Sequence, residues 1–168
     1  MPLALACNIA IALFPTTRGH NAKRIILNLL GHKIGPGTKV NGAVKFYGRG
    51  VLATGKDCWI GIGCTFFLTP EASITIGDNC DIAPHVHFIT GTHDMGGPER
   101  RAGACKSLPI VIGPGTWVGT RVTLLPGTVL GRGSMVAAGA VVPGRSHPDH
   151  ALLAGVPAVV KKSLEPEV

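Results

Sequence analysis

The stretch Ile112–Val141 consists of IGPGTW, VGTRVT, LLPGTV, LGRGSM and VAAGAV, five six-residue units in succession. The first residue of every unit is aliphatic, and the second is Gly or Ala in four of the five. The fifth residue is always small or β-branched: Thr116, Val122, Thr128, Ser134 and Ala140. Five consecutive matches to one frame indicate a repeat architecture.

A unit of this length has room for one short strand and one turn, so three units close a triangular coil of about 18 residues. The aliphatic first residue then points inward and stacks on its equivalents in neighbouring coils, while Gly or Ala at the second position lets the chain bend at the corner. The same frame fits residues further upstream: Ile34, Val40, Ile60, Ile76 and Ile82. The repeat therefore predicts an all-β solenoid of parallel coils, each of which depends on its neighbours.

The repeat has clear limits, and they predict the organisation of the single domain expected for 168 residues. Residues 1–33 are expected to form a helical, apolar cap, residues 34–146 the β-helix, and residues 147–168 a C-terminal tail that leaves the solenoid from residue 151. Residues 91–107 carry no repeat and are predicted to be a loop ejected from the coil. A long loop in a compact domain is typical of a functional segment.

The N-terminal region contains two apolar segments. Residues 3–14 are too few to span a bilayer, and no cation precedes them as in a secretory signal. Residues 21–30 predict an amphipathic helix whose apolar face carries Ile25, Ile26, Leu29 and Leu30. This helix is expected to cap one end of the core, and the alternative is that residues 1–30 rest on an anionic membrane surface.

The charge balance and the cysteines limit which classes of ligand, and which compartment, suit this chain. Lys and Arg outnumber Asp and Glu by 16 to 9, which suits a phosphate-bearing ligand or an anionic surface. Nucleic acid is disfavoured, because aromatic residues make up only 5% and no nucleic-acid-binding motif is present. The five cysteines contain no CxxC pair, which argues against a disulfide framework or a zinc site. They are expected to be buried, and the chain to be cytoplasmic, with contact at the inner face of the membrane as the alternative.

Several motifs follow one another in an order typical of one family: Gly91–Asp94, Pro109–Gly113, Thr116–Gly119, Ala138–Val142 and Ala154–Ala158. Together they resemble the hexapeptide-repeat acyltransferases, in particular the galactoside, maltose, nodulation-factor and polysaccharide O-acetyltransferases. The resemblance covers roughly residues 34–162. It implies a left-handed parallel β-helix, a homotrimer, acetyl-CoA as donor, and a sugar or glycan hydroxyl as acceptor.

The same resemblance implies a role for individual residues. His93 matches the family's histidine and would act as general base in a direct transfer. Histidine suits this role because the unperturbed pKa of its side chain lies near neutral pH. Asp94, Arg100, Arg101 and His85 are expected to contact the acceptor. The residues expected to bind the donor are Trp117, Thr120, Ala138, Gly155, Val156, Pro157, Ala158, Lys161 and Lys162.

The chain departs from the family pattern at two places. Pro143-Gly144 stands where the family often has Thr-Lys, so the phosphate contacts differ and Arg145 is a candidate substitute. Gly61–Gly63 occupies a region where small-sugar acetyltransferases carry polar residues that hold the sugar. Together with the apolar N-terminal segment, this predicts an acceptor such as a nascent polysaccharide or a glycan on a lipid carrier.

Three other interpretations stay open. His85, His87 and His93 permit a zinc enzyme similar to γ-class carbonic anhydrases, but their spacing does not match ligands drawn from adjacent coils, and no metal is expected. The same fold could acylate a non-sugar acceptor, such as an amino-sugar amine or serine. The solenoid could also serve as a non-catalytic scaffold, from which binding of acetyl-CoA would distinguish the enzyme.

Overall fold

The computed structural model describes residues 3–164, so the extreme ends of the expected cap and tail lie outside the described residues. Two helices, α1 (Leu3–Ala12) and α2 (His20–Leu29), precede nineteen strands. Seventeen of these strands belong to three sheets, and the other two form an antiparallel hairpin. No helix in the described range is long and apolar enough to cross a membrane.

As far as residue 142, and apart from the hairpin, the chain visits the three sheets, A, B and C, in rotation, one strand at a time. Sheet A contains β1 (Lys33–Ile34), β4 (Leu52–Thr54), β7 (Ile74–Ile76), β12 (Ile110–Ile112) and β15 (Val129–Leu130). Sheet B contains β2 (Lys39–Val40), β5 (Trp59–Ile60), β8 (Asp81–Ile82), β13 (Trp117–Val118), β16 (Met135–Val136), β18 (Ala151–Gly155) and β19 (Ala158–Ser163). Sheet C contains β3 (Lys45–Gly48), β6 (Thr65–Leu68), β9 (His87–Ile89), β14 (Thr123–Leu124) and β17 (Val141–Val142). The predicted parallel solenoid is confirmed.

The inward-pointing positions of the repeat form the core. The first residues of the units, from Ile112 to Val142, and the small fifth residues are all buried. Three phenylalanines of consecutive coils, Phe46, Phe66 and Phe88, stack inside sheet C with ring centroids 5.3 and 4.7 Å apart. The core is a continuous ladder along the solenoid axis, and each coil covers the apolar atoms of the next.

Glycine at the second position of a unit is required by the closeness of adjacent coils. A Cβ built on Gly119 would lie 2.7 Å from the backbone nitrogen of Ala138. A Cβ on Gly35 would lie 2.2 Å from the carbonyl oxygen of Gly55. At these corners the backbone of one coil touches the backbone of the next, so no side chain fits between them.

The end of the solenoid differs from the expected tail. Leu152 and Leu153 of β18 pair in parallel with Met135 and Val136 of β16, so the chain keeps adding to sheet B beyond residue 146. Only then does it reverse, and β19 pairs antiparallel with β18. The expectation that residues 151–168 leave the solenoid is wrong for β18, because its alternating apolar residues extend the core ladder.

The cap also differs from the predicted packing. Helix α2 buries Leu27 and, against expectation, Lys23, while Ile25 and Leu29 are exposed. The Lys23 ammonium donates to the carbonyl oxygens of Pro15 (2.9 Å) and Thr16 (3.2 Å) and so fixes the connection from α1 to α2. Burial lowers the pKa of the Lys23 amine. The two carbonyl oxygens accept hydrogen bonds from its ammonium group and so offset part of the cost of burying it.

A buried histidine joins the cap to the first coils. His32 Nδ1 accepts the backbone N–H of Leu52 at 3.1 Å, and the ring stacks on Phe46 at 4.7 Å. Burial lowers the pKa of His32 to about 4, against an ordinary value of 6.5. The folded protein therefore holds this imidazole neutral at a pH where the unfolded chain would protonate it.

We expect the stability of the protein to fall between pH 6.5 and pH 4 because of His32. In this window the unfolded state binds a proton that the folded state does not, which removes about 3 kcal/mol by pH 4. Urea unfolding midpoints measured across the range test this. His32→Gln, whose amide oxygen can still accept the Leu52 N–H, should flatten the pH dependence. An unchanged slope in this variant contradicts the assignment.

Candidate active site

The hairpin that carries His93 leaves the solenoid after the third coil. Its strands are β10 (Gly91–Met95) and β11 (Ala102–Ser107), and they occupy the corner between sheets C and A. Its base is fastened by the hydroxyl groups of Thr69 and Thr90, 2.9 Å apart, and by the Thr90 hydroxyl donating to the Phe67 carbonyl. The ejected segment therefore projects from a rigid point of the coil.

His93 is exposed on β10 and lies opposite Cys105 of β11. Its Nδ1 lies 3.1 Å from the carbonyl oxygen of Gly103. Because a carbonyl can only accept, this contact places the ring proton on Nδ1 and leaves the lone pair on Nε2. In this tautomer the hairpin presents the Nε2 lone pair, which can abstract a proton.

The predicted acceptor residues do not all gather around His93. Asp94 is adjacent but forms an ion pair with Lys106 across the hairpin, and both groups are about half exposed. Arg100 and Arg101 lie exposed at the tip of the hairpin. His85 lies elsewhere, at the corner between sheets B and C, with its ring against Gly63 of the previous coil.

The predicted donor residues form a second group on sheet B and its corner. Trp117 is 51% exposed on β13, between Asp81 and Met135 of the neighbouring strands. Thr120 and Ala138 stack at the corner between sheets B and C, near His85 in the column of corner residues. The Thr120 hydroxyl donates to the Pro84 carbonyl at 2.8 Å, so it can meet a ligand only as an acceptor.

The tail residues extend the same surface. The Gly155–Ala158 turn connects β18 to β19 and includes a cis peptide bond between Val156 and Pro157. Lys161 and Lys162 follow on β19, both exposed. These residues and Trp117 belong to one sheet, in which β13 is the central strand and β19, with the two cations, is the edge strand. Such a surface suits a ligand with an extended chain and a phosphorylated end.

Within one chain the two groups remain apart. His93 lies at the corner between sheets C and A, whereas the donor residues occupy sheet B and the corner between sheets B and C. The whole width of sheet C separates them. The structure therefore brings the predicted donor residues together but does not join them to His93 in a single subunit.

Two features near His93 escaped the sequence analysis. Cys105 was expected to be buried, but it is exposed, with its sulfur 3.6 Å from His93 Nδ1, because the hairpin carries it away from the core. Tyr47 and Phe67 stack on the outer face of sheet C with centroids 5.1 Å apart, and they are 50% and 38% exposed. Their spacing equals that of the buried pair Phe46 and Phe66, and this periodicity was the available signal.

No three His, Cys, Asp or Glu side chains come together as a metal site anywhere in residues 3–164. In particular, His85 and His93 lie at different corners of the coil, and His87 points outward from β9 between them.

The fold and this site define a class: a parallel β-solenoid of six-residue repeats that holds a histidine on an ejected hairpin. Residues 109–144 match the model of the bacterial transferase hexapeptide, and residues 53–83 match that of the hexapeptide repeat of succinyl-transferase. These matches and the relatives named acetyltransferase support a hexapeptide-repeat acyltransferase family for this chain.

Individual relatives agree with this assignment. A putative acetyltransferase of Schizosaccharomyces pombe is 38% identical over 67% of this chain and 53% of its own length. The galactoside O-acetyltransferase of Escherichia coli is 34% identical over 58% of this chain and 47% of its own length. The chain spans about half the length of these curated relatives.

A solved structure extends the likeness to nearly the whole chain. The hexapeptide-repeat acetyltransferase of Vibrio cholerae, complexed with acetyl-CoA, superposes with a TM-score of 0.79 at 26% identity. The match covers 98% of this chain and 86% of that one. The left-handed β-helix expected from the resemblance is the fold of these solved neighbours.

We expect a thiol reagent to distinguish Cys105 from the other four cysteines. Burial raises the pKa of Cys7 to about 11 and that of Cys64 to about 12. A hydrogen bond with Cys80 lowers the pKa of Cys58 to about 7, but both of these sulfurs are buried. N-ethylmaleimide should therefore add once to the native protein, detected by intact mass, and not at all to Cys105→Ser. Two or more native adducts contradict this arrangement.

Proposed function

We propose that the protein transfers an acetyl group from acetyl-CoA to a hydroxyl of a sugar or glycan, without an acyl-enzyme intermediate. The observation that carries the proposal is the His93 imidazole, held by the Gly103 carbonyl with Nε2 unprotonated on an exposed hairpin. A relative named galactoside O-acetyltransferase and a solved neighbour complexed with acetyl-CoA support the reaction and the donor.

His93 Nε2 takes the proton of the acceptor hydroxyl while that oxygen attacks the thioester carbonyl. The resulting imidazolium keeps its hydrogen bond to Gly103 and can return the proton to the departing sulfur. The carbonyl contact thus has two functions: it sets the tautomer before the reaction and stabilises the ring's charge during it. Asp94 is the nearest carboxylate in sequence, but its ion pair with Lys106 reduces its influence on the ring.

The donor is proposed to lie along sheet B. Trp117 offers an exposed apolar surface for the pantetheine arm, and the corner of Thr120 and Ala138 would border it. Gly155–Ala158 and the cations of Lys161 and Lys162 would meet the nucleotide end. The chain supplies polar and cationic groups for such a ligand, and no metal ligand set is needed for the transfer.

The active enzyme is proposed to be a homotrimer with sites between subunits. In one chain, sheet C separates His93 from the donor residues, so a single subunit presents only half of the site. A neighbouring solenoid can place its sheet B against the hairpin and complete it. Closed rings of identical subunits reproduce such a contact at every interface.

The acceptor class follows from the surface that lies between the two groups. Tyr47 and Phe67 form a partly exposed stacked pair on sheet C beside the root of the hairpin, and Lys45 and Thr65 form the polar row next to them. Exposed aromatic carbon bordered by hydrogen-bonding groups suits the apolar C–H groups and the hydroxyl groups of a sugar ring. We call this surface the glycan strip. An extended glycan fits it better than a small amine, which is the alternative acceptor.

We expect His93→Ala to lower kcat by about 10²- to 10⁴-fold, because general base catalysis is lost. Release of the CoA thiol, with p-nitrophenyl galactoside and oligosaccharide acceptors, measures the rate. Binding of acetyl-CoA in a calorimetric titration should persist in the variant. His20→Ala is the matched control, because its Nδ1 also lies 3.1 Å from a backbone carbonyl, that of Val40 in β2.

Two results contradict the proposal. If the wild-type protein does not bind acetyl-CoA, the donor assignment is wrong and the scaffold interpretation gains support. If His93→Ala retains a tenth or more of the wild-type rate, another group is the base.

We expect Phe67→Ala to raise KM for oligosaccharide acceptors by about five- to tenfold, because the substitution removes one stacking contact with the sugar. KM for acetyl-CoA should not change, because Phe67 lies on sheet C and not on sheet B. Trp59→Ala is the control, since Trp59 is also 38% exposed but lies on sheet B. An equal KM for wild type and Phe67→Ala across mono- and oligosaccharides refutes the glycan strip.

A further inference from the structure

The two cap helices expose a set of large aliphatic side chains. We define the cap face by these residues of α1, α2 and the residue after α1, which are 45–81% exposed: Leu5, Ile9, Leu13, Ile25 and Leu29. The opposite sides of both helices already bury Cys7, Ile11 and Leu27 in the core. The cap face is thus a second apolar surface that contacts no part of the described chain closely enough to be buried.

The charges of the chain are divided between its two parts. Residues 1–56 contain eight of the 16 Lys and Arg residues and not one of the nine Asp and Glu residues. The remaining 112 residues hold the other eight cations and all nine acids. The entire net charge of +7 therefore arises from the cap and the first coils.

Three cations of this region lie in segments that adjoin the two cap helices. Arg18 lies in the connection between α1 and α2, Lys33 directly follows α2, and Lys45 lies on β3, against which α1 packs. All three side chains are exposed. Among residues 3–164 the ion pair lies on the hairpin, between Lys106 and Asp94. None of the three cap cations takes part in it. Exposed aliphatic groups with uncompensated cations beside them occupy one end of the solenoid.

We propose that the cap face docks on an anionic lipid bilayer. Leu and Ile side chains gain free energy by entering the boundary between head groups and acyl chains, and adjacent Lys and Arg are attracted to anionic head groups. A second copy of the chain is disfavoured as occupant, because like charges would face each other across the contact. An anionic polymer would bind the cations but leave the aliphatic groups in water.

Docking would set the height of the hairpin above the bilayer. Adjacent coils are spaced by about 4.8 Å, and the hairpin leaves the third coil, so it lies roughly 10 Å along the axis from the first. This places His93 within reach of a hydroxyl carried on a lipid-linked molecule. The docking itself does not depend on acetyl transfer.

The test is co-sedimentation of the purified full chain with vesicles of phosphatidylcholine alone or with 25% phosphatidylglycerol. We expect at least tenfold stronger partitioning to the anionic vesicles, with a decline as sodium chloride rises to 0.5 M. Leu13→Ser with Leu29→Ser should lower partitioning at least tenfold. The control, Val111→Ser with Val160→Ser, changes two exposed aliphatic residues on sheets A and B and should bind as wild type.

A second pair of variants tests the charges alone. Arg18→Glu with Lys33→Glu should reduce binding at least tenfold, while Arg132→Glu with Arg145→Glu, the same charge change outside residues 1–56, should reduce it less than threefold. Thermal melting confirms that each variant is folded. Acetyl transfer to a water-soluble acceptor should stay at the wild-type rate in the cap-face variants, so failure of docking and failure of the enzyme assignment are distinguishable.

Three outcomes would overturn the proposal. Equal partitioning to neutral and anionic vesicles, or none to either, excludes an anionic bilayer. Loss of self-association in Leu13→Ser with Leu29→Ser, measured by sedimentation velocity, with vesicle binding unchanged, assigns the cap face to a second copy. Equal losses in the cap and control variants show that the effect is not specific to this face.

Discussion

The structure depends on one constraint: consecutive coils must stack in register with their backbones in contact. Each strand is only two to four residues long in most coils, too short to be stable alone, and gains its hydrogen bonds only from the coils on either side. Glycine at corners such as Gly35 and Gly119 permits the approach, because any Cβ there would meet backbone atoms of the next coil. The aliphatic and aromatic ladders inside the coil follow from this register.

A solenoid of this kind has no internal cavity in which to place a site, since its interior is filled by the ladders. Reactive groups must therefore be displayed on the outer faces, at the corners, or on a segment that leaves the coil. The hairpin with His93 is such a segment. Its antiparallel pairing brings the Gly103 carbonyl to His93 Nδ1, which orients the imidazole without any support from the core. The same pairing places the Cys105 thiol beside the ring.

The triangular cross-section separates groups that the proposed reaction must unite. Trp117 and the tail belong to sheet B, and His93 to the opposite corner. A second subunit supplies the missing half in the proposed trimer, so catalysis and assembly would be coupled. The outer face of sheet C, with Tyr47 and Phe67, lies between the two groups and is open to a long acceptor. The cap covers one end of the coil, and the net positive charge arises from the cap together with the first coils, residues 1–56.

Much of the fold could be predicted from the sequence, because a solenoid is governed by local periodicity. The inward positions, the interruption at 91–107 and the helix over residues 21–30 all follow from spacing. Which side of that helix faces the core did not follow from it. Lys23 is buried because two carbonyls from the preceding connection meet its ammonium, and these come from residues that the helical pattern does not include. Likewise, β18 joins sheet B through pairing with β16 rather than by the six-residue frame.

The sequence by itself determined the coil and its core positions, since each depends on residue type at a fixed local spacing. His93 was named as candidate base through the resemblance to a family and not through spacing. Tertiary structure decided what surrounds those residues. The partner of His93, the exposure of Cys105, the neutral state of His32 and the separation of His93 from Trp117 arise from contacts between segments distant in sequence. Such contacts depend on how the coils and hairpin are placed in space, and no periodic pattern along the chain encodes them.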